Sequence, residues 1–238
     1  MRLDKFLVDN GYYYSRNQAI EAIKSGFVKV EGKIIKKPSF DTAESMKIEL
    51  IQTKQYVSRA SGKLLGYLKS YPLDLSRKRA LDIGSSTGGF TQVLLEYGVD
   101  SVTAIDVGKE QFHPTLRKES RVKLYEETDI RGFVAEAFDV IVSDVSFISL
   151  GKIIDDIDRL AKNKSDIILL FKPQFEVGKD VKRDKRGVVT DRFAIQNAQI
   201  DFENNISRLN WNLIRKVDSK VVGKSGNQEI IYHYQKII

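Results

Sequence analysis

Four short apolar runs in this 238-residue chain each end beside a residue that can do chemistry. Ala80-Leu81-Asp82-Ile83 runs into Gly84-Ser85-Ser86-Thr87-Gly88-Gly89-Phe90, and Val102 to Ile105 ends at Asp106. Val140-Ile141-Val142-Ser143 leads to Asp144, and Ile167 to Phe171 leads to Lys172-Pro173. Short continuous apolar runs read as buried strands, and such strands alternating with helical stretches read as a parallel α/β sheet. Open sheets of that kind bind ligands beyond the carboxyl ends of their strands. A glycine turn, several carboxylates and a lysine are therefore expected on one edge.

The glycine segment has neither the Gly-x-Gly-x-x-Gly spacing of dinucleotide sites nor the lysine-serine pair of a phosphate loop. Its glycines let the backbone turn tightly and approach a ligand. Asp82 puts a carboxylate beside that turn, which welcomes a cationic, amino-acid-like cofactor and repels a pyrophosphate. Asp106, 22 positions after Gly84, is placed for ribose hydroxyls. The pattern favours S-adenosyl-L-methionine over NAD, because a sulfonium and an ammonium suit an acidic pocket. The expected cofactor contacts are Asp82, Gly84, Ser85, Ser86, Thr87, Gly88, Gly89, Phe90 and Asp106. Asp129, in Thr128-Asp129-Ile130, is a candidate for the adenine amine.

Charge supports a division of labour along the chain. The total is +7, yet residues 80 to 178 carry −6, while 1 to 52 carry +2, 53 to 79 carry +6 and 179 to 238 carry +5. A basic connector and tail flanking an acidic middle point to a polyanionic partner outside the centre. There is no cysteine and there are only two histidines, His113 and His233, so disulfides, thiolate zinc sites and cysteine nucleophiles are excluded. No apolar run approaches the roughly 20 residues of a membrane span, and the start carries no secretion signal, so a soluble, cytoplasmic protein is expected.

The elements that must position these residues are also readable. Ser61 is a possible N-cap for a helix carrying Leu64, Leu65 and Leu68. Lys63 near its start opposes the helix dipole, which suits an anion such as RNA phosphate bound beside it. Val93, Leu94 and Leu95 mark a helix after the glycine turn. A helix over 193–209 and strands near 213–217 and 229–234 complete a seven-stranded sheet whose final strand is antiparallel. The basic stretch from Lys179 to Gly187 reads as a loop at the mouth of the site, for phosphate binding or simply solvated. Phe147 either stacks on a flipped base or joins the core.

At the amino end, Ser15-Arg16-Asn17-Gln18 reads as a capping box before a helix carrying Ala19, Ile20, Ala22 and Ile23, closed by Gly26. Another helix is expected at Leu3, Phe6 and Leu7. Phe27 to Val30, Glu31-Gly32 and Lys33 to Ile35 read as a hairpin. Arg2-Leu3-Asp4, Ser15-Arg16, Ala19, Ile23, Gly26, Val28, Val30 and Gly32 resemble the small RNA-binding fold first known from ribosomal protein S4. Glu31 departs from it, since asparagine usually precedes that turn glycine. The resemblance implies that Arg2, Lys5, Arg16 and Lys24 face RNA.

Over the whole chain, Arg59 to Leu64, Leu81 to Thr91, Asp106-Val107-Gly108, Asp144-Val145-Ser146-Phe147, Phe171 to Glu176 and Gly226-Asn227-Gln228-Glu229 resemble the TlyA family. These are FtsJ-like rRNA ribose methyltransferases fused to an S4 domain and often labelled hemolysins. The resemblance implies an α/β fold, a Rossmann-like seven-stranded SAM-dependent methyltransferase sheet with a small N-terminal α+β S4-like RNA-binding domain. The expected limits are 1–53 for the S4-like domain, 54–60 for a basic linker and 61–238 for the methyltransferase domain. It implies methylation of a cytidine 2′-hydroxyl in 23S rRNA only, as in the shorter members, whereas longer ones also modify 16S rRNA; the partner is ribosomal RNA, free or within the assembled large subunit, with Arg59 on RNA and no metal. The catalytic Lys-Asp-Lys-Glu tetrad falls on Lys63, Asp144, Lys172 and Glu229. Lys172 then acts as general base or stabilises the developing alkoxide, and Asp144 serves the lysines or the cofactor amine. Two other classes stay in view: a pore-forming cytolysin, opposed by the lack of apolar stretches, and a non-catalytic ribosome-assembly protein, opposed by the tetrad. A base methyltransferase would need an Asn-Pro-Pro-Tyr-like motif or a cysteine nucleophile, and neither is present.

Overall fold

A computed structural model describes residues 1–13, 15–51 and 56–237 of the chain. It divides into two compact units, Met1–Gln55 and Tyr56–Ile238. Residues 54 and 55 of the expected linker lie outside the described residues, whereas Tyr56 to Ala60 belong to the larger unit.

The smaller unit starts with α1 (Leu3–Asp9) and α2 (Arg16–Lys24), then β1 (Val28–Val30), β2 (Lys33–Ile34) and β3 (Ile48–Leu50). Ser15 caps α2 by accepting a hydrogen bond from the Gln18 amide at 3.3 Å. Gly26, at φ +79°, ends it. The Phe27 amide donates to the Ala22 carbonyl and the Gly26 amide to that of Ile23, a Schellman closure. Glu31 and Gly32 both have positive φ, which gives the hairpin turn the twist of its strands. The antiparallel sheet has the order β2-β1-β3; β3 carried too short an apolar pattern to be read in advance. Leu3, Leu7, Ala19, Ile23, Val28 and Val30 form the core.

The larger unit contains α3 (Ala60–Ser70), β4 (Arg79–Ile83), α4 (Gly89–Glu96), β5 (Ser101–Ile105), α5 (Pro114–Arg117), β6 (Val122–Tyr125) and β7 (Phe138–Ser143). It continues with α6 (Ile154–Leu160), β8 (Ala161–Phe171), α7 (Pro173–Glu176), α8 (Arg192–Ile206), β9 (Trp211–Asp218) and β10 (Ile230–Lys236). Among the described residues the sheet has seven strands, ordered β6-β5-β4-β7-β8-β10-β9. Strands β4 to β8 run parallel, and β10 is antiparallel to β8 and β9 on either side of it. The side-chain period of two sorts the core onto two faces. Leu81, Ile83, Ile167, Leu169, Phe171, Ile230 and Tyr232 pack with α6 and α8. Ala80, Val140, Val142, Ile168, Leu170 and Ile231 pack with α3 and α4. Strand order reverses between β4 and β7, which opens a crevice at their carboxyl ends, where such folds hold ligands. Among the described residues no helix is long and apolar enough to cross a membrane.

Candidate active site

Strand β7 delivers Asp144, β8 delivers Lys172, the segment before β10 delivers Glu229, and α3 delivers Lys63 from its first turn. Lys63 Nζ lies 2.8 Å from Glu229 Oε2 and 3.3 Å from Asp144 Oδ2. Lys172 Nζ pairs with Asp144 Oδ1 and donates to the Asp144 carbonyl at 3.2 Å and to Ser146 Oγ at 2.9 Å. The four groups form one chain, Glu229 to Lys63 to Asp144 to Lys172. Lys63, Lys172 and Glu229 are buried, at 8 %, 6 % and 2 % exposure. Two cations and two anions cancel, so each desolvated charge has the partner it needs. Three acceptors surround Lys172, matching the three N–H groups of an ammonium.

Two expectations about α3 are corrected here. Arg59 occupies the N-cap position, and Ser61 is buried within the first turn. The anions beside Lys63 are Asp144 and Glu229 of the chain itself, not an exposed phosphate site. Arg59 is exposed, and its Nη2 donates to the Val222 carbonyl at 3.4 Å.

The glycine turn lies beside this cluster. Gly84 and Gly88 have φ of +75° and +89°, and a Cβ on Gly88 would come within 2.6 Å of Leu116 Cδ1. Asp106 Oδ2 accepts from the Ser86 amide and Oδ1 from the Gly108 amide, both at 2.7 Å. That fixes the carboxylate while leaving each oxygen another lone pair.

One oxygen of Asp82 is used within the fold. The residue is fully buried, its Oδ2 accepting from the Thr91 amide at 2.9 Å and Oγ1 at 2.6 Å, so it ties β4 to α4. Burial pushes its carboxyl up to about 7, helped by the negative charges of Asp144 and Asp106 and opposed by the Thr91 bonds. Phe90 is likewise a core residue. Asp129 caps the turn Ile130–Gly132 and is paired with Arg131 at 2.6 Å, while its side chain stays 41 % exposed.

The sequence reading gave no structural role to Gly223, Asn227 or Glu176, and left Phe147 between two. Gly223 leaves room for Glu229, since a Cβ there would sit 2.7 Å from Oε1. Asn227 accepts from the Val189 amide at 3.0 Å and donates to the Gly187 carbonyl at 3.3 Å, holding the basic loop against the Glu229 segment. Glu176 accepts from the Leu150 amide at 2.9 Å and Ser149 Oγ at 2.6 Å, fixing the stretch after Asp144. Phe147, on that stretch, is 91 % exposed at positive φ, with its ring against Phe175. It is not part of the core.

In the smaller unit, Asp4 is fully buried between two half-exposed arginines. Arg2 Nη2 lies 2.9 Å and Arg16 Nε 3.0 Å from Asp4 Oδ2. Those bonds, Arg2's first, hold the Asp4 carboxyl down at about 2 against the opposing effect of burial. Lys5 and Lys24 are exposed on α1 and α2.

Residues 56–236 match the FtsJ-like methyltransferase family and residues 1–46 the S4 domain. The chain is 43 % identical to the 23S rRNA (cytidine-2′-O)-methyltransferase TlyA of Campylobacter jejuni, covering 99 % of this chain and 100 % of that protein. It is 36 % identical to the 16S/23S rRNA (cytidine-2′-O)-methyltransferase TlyA of Mycobacterium tuberculosis, covering 96 % and 87 %. A solved structure from Streptococcus thermophilus, described as a hemolysin, superposes with a TM-score of 0.74 at 28 % identity, covering 100 % and 88 %. With motif, geometry and full-length similarity in agreement, the chain belongs to the TlyA family of FtsJ-like methyltransferases with an S4 domain.

Proposed function

We propose that this protein methylates the 2′-hydroxyl of a cytidine in 23S rRNA, using S-adenosyl-L-methionine and acting in the cytoplasm on rRNA or the large ribosomal subunit. The observation that carries the reading is the buried Glu229, Lys63, Asp144, Lys172 chain at the carboxyl edge of the sheet, beside the glycine turn. The names of the two TlyA relatives agree with it.

The residues around the turn fit the cofactor. Asp82 Oδ1 and the hydroxyls of Ser58, Ser61 and Ser85 are buried without a hydrogen-bond partner. Ser58 and Ser61 press on Gly89, where any Cβ would meet Ser58 Oγ. Those unmatched polar atoms suit an ammonium and a carboxylate, and the spare lone pairs of Asp106 suit a ribose diol. When bound, the cofactor supplies an electrophilic methyl on a sulfonium.

A 2′-hydroxyl is a poor nucleophile, so the chain's residues must hold it and stabilise charge as its proton leaves. Lys172 does both as an ammonium donor. Of its three acceptors Ser146 Oγ is the neutral side chain, the one a substrate oxygen replaces at least cost. Donation to the developing alkoxide is electrostatic stabilisation by a fixed donor, and the proton departs to solvent, which reaches the exposed Ser146 edge of the site. Asp144 orients both lysines, and Glu229 holds Lys63. The Arg2 and Arg16 pair, with Lys5, Lys24 and Arg59, engages RNA phosphates.

Tritiated methyl transfer to rRNA tests the assignment. Lys172→Ala is expected to abolish incorporation while cofactor affinity stays nearly unchanged, and full activity of that variant overturns it. Mass spectrometry of rRNA from cells with and without the protein identifies the nucleotide.

A further inference from the structure

A second polar chain lies beneath the tetrad on the same elements. Tyr67 Oη is 2.8 Å from His233 Nδ1, His233 Nε2 is 3.1 Å from Asp166 Oδ1, and Asp166 Oδ2 is 2.8 Å from Lys78 Nζ. Tyr67, His233 and Asp166 are all buried. Tyr67 follows Lys63 by one helical turn on the same side of α3. His233 follows Glu229 by four residues along β10, and Asp166 precedes Lys172 by six along β8, so both stay on the matching sheet face. The two polar chains are therefore rungs between the same helix and the same two strands.

The bonds order into one donor sequence when His233 carries a single ring proton. Burial pushes the Tyr67 hydroxyl up to about 12, so it keeps its proton and in that sequence donates to His233 Nδ1. His233 then carries its proton on Nε2 and donates to Asp166. Burial alone would raise the Asp166 carboxyl, yet the bonds from His233 and Lys78 hold it below its ordinary range, as an acceptor. Every polar atom of the chain is satisfied in that one arrangement.

The strands need no such help, because ladder hydrogen bonds already set β8 against β10. Helix α3 has no ladder. Its Leu64 and Leu68 make apolar contacts, which resist sliding and rotation weakly because they are non-directional. A buried bond from Tyr67 to His233 fixes both. We infer that Tyr67 and His233 are positioning residues that set the height and rotation of α3 so that Lys63 meets Asp144 and Glu229. This rests on the methyl-transfer reading given above.

Tyr67→Phe keeps the ring and removes the hydroxyl. It is expected to lower kcat by about tenfold to a hundredfold, the cost of a small misplacement of a reacting group, with KM for rRNA and cofactor affinity within about twofold of the parent protein. His233→Gln, which can still accept and donate, is expected to retain more turnover than His233→Leu, and it decides the matter if Tyr67→Phe fails to fold. A role confined to packing would lower the melting temperature of these variants and leave kcat unchanged below it. That result, with the unmodified protein active, overturns this inference alone. An unmodified protein inactive on 23S rRNA and on ribosomal subunits overturns the methyl-transfer reading and this inference with it.

Discussion

Both units build their site on an aspartate held between two cations, yet they distribute burial in opposite ways. In the smaller unit Asp4 is fully buried, while Arg2 and Arg16 are 52 % and 55 % exposed. In the larger unit Asp144, Lys63 and Lys172 are all inside, and Glu229 brings the charge to balance. A buried anion that orients exposed guanidinium groups leaves a surplus of positive charge facing water, with planar donors suited to phosphate. Its pull is long-ranged and screened by salt. The neutral buried cluster has little long-range field, but its fixed donors act strongly on charge that develops in contact with them. One arrangement suits capture and the other suits reaction.

The largest effect should come from removing the middle carboxylate of the buried cluster. Asp144→Asn leaves Lys63 and Lys172 with Glu229 alone, and breaking a buried ion pair from one side typically costs about 3–5 kcal/mol. Methyl incorporation should fall by about a hundredfold or more, with a lower melting temperature. Asp4→Asn leaves two cations that water can reach, so stability should change much less. Its turnover at saturating rRNA should match that of the parent protein, while half-saturation requires several times more rRNA. If Asp4→Asn depresses saturated turnover as far as Asp144→Asn does, the division between capture and reaction is wrong.

The same contrast explains what the sequence could and could not disclose. Strand ends are legible because four apolar runs stop at Ile83, Ile105, Ser143 and Phe171, close to where the structure stops them. Strand β6, whose Val122-Lys123-Leu124-Tyr125 is too short and mixed, and the α6 helix passed unread. The tetrad became visible through family resemblance, since nothing in spacing alone brings Lys63 and Glu229, 166 positions apart, to 2.8 Å. Direction was the other blind spot. Asp82 and Asp129 stand at the expected places along the chain, but Thr91 takes one oxygen of Asp82 and leaves Oδ1 open, and Asp129 pairs with Arg131. Alternation assigns a side chain to a face of the sheet, and local hydrogen bonds then decide whether its oxygens are available.

A smaller effect separates the two sites by salt. If Arg2 and Arg16 each neutralise a phosphate, Arg16→Ala should flatten the plot of log affinity for rRNA against log salt by about 0.7–0.9. The affinity for S-adenosylhomocysteine, which the proposed function assigns to the larger unit, should barely respond to salt. Filter binding for the RNA and calorimetry for the small ligand give both slopes. An unchanged RNA slope in Arg16→Ala removes that arginine from the phosphate-binding set.

The smallest effect is in pH dependence, where two fully buried aspartates should behave in opposite senses. Asp4, held at about 2 by Arg2 and then Arg16, stabilises the fold when ionised. Its contribution is present above an ordinary carboxyl value of about 4 and is lost as pH falls towards 2. Asp82 has Thr91 as donor but no cation, and burial lifts it to about 7. The fold therefore resists its ionisation, a cost to stability that is absent below about pH 4, grows between about 4 and 7 and levels off above 7. An ammonium bound near Asp82 reverses the preference in favour of the carboxylate, so ligand affinity should rise as pH increases from 6 to 8. S-Adenosylhomocysteine keeps the ammonium and lacks the sulfonium, which confines the effect to that group. Calorimetry should show a few-fold gain across this range for the parent protein and none for Asp82→Asn. Parallel pH profiles for the two proteins would mean that the buried carboxylate serves Thr91 and helix α4 alone.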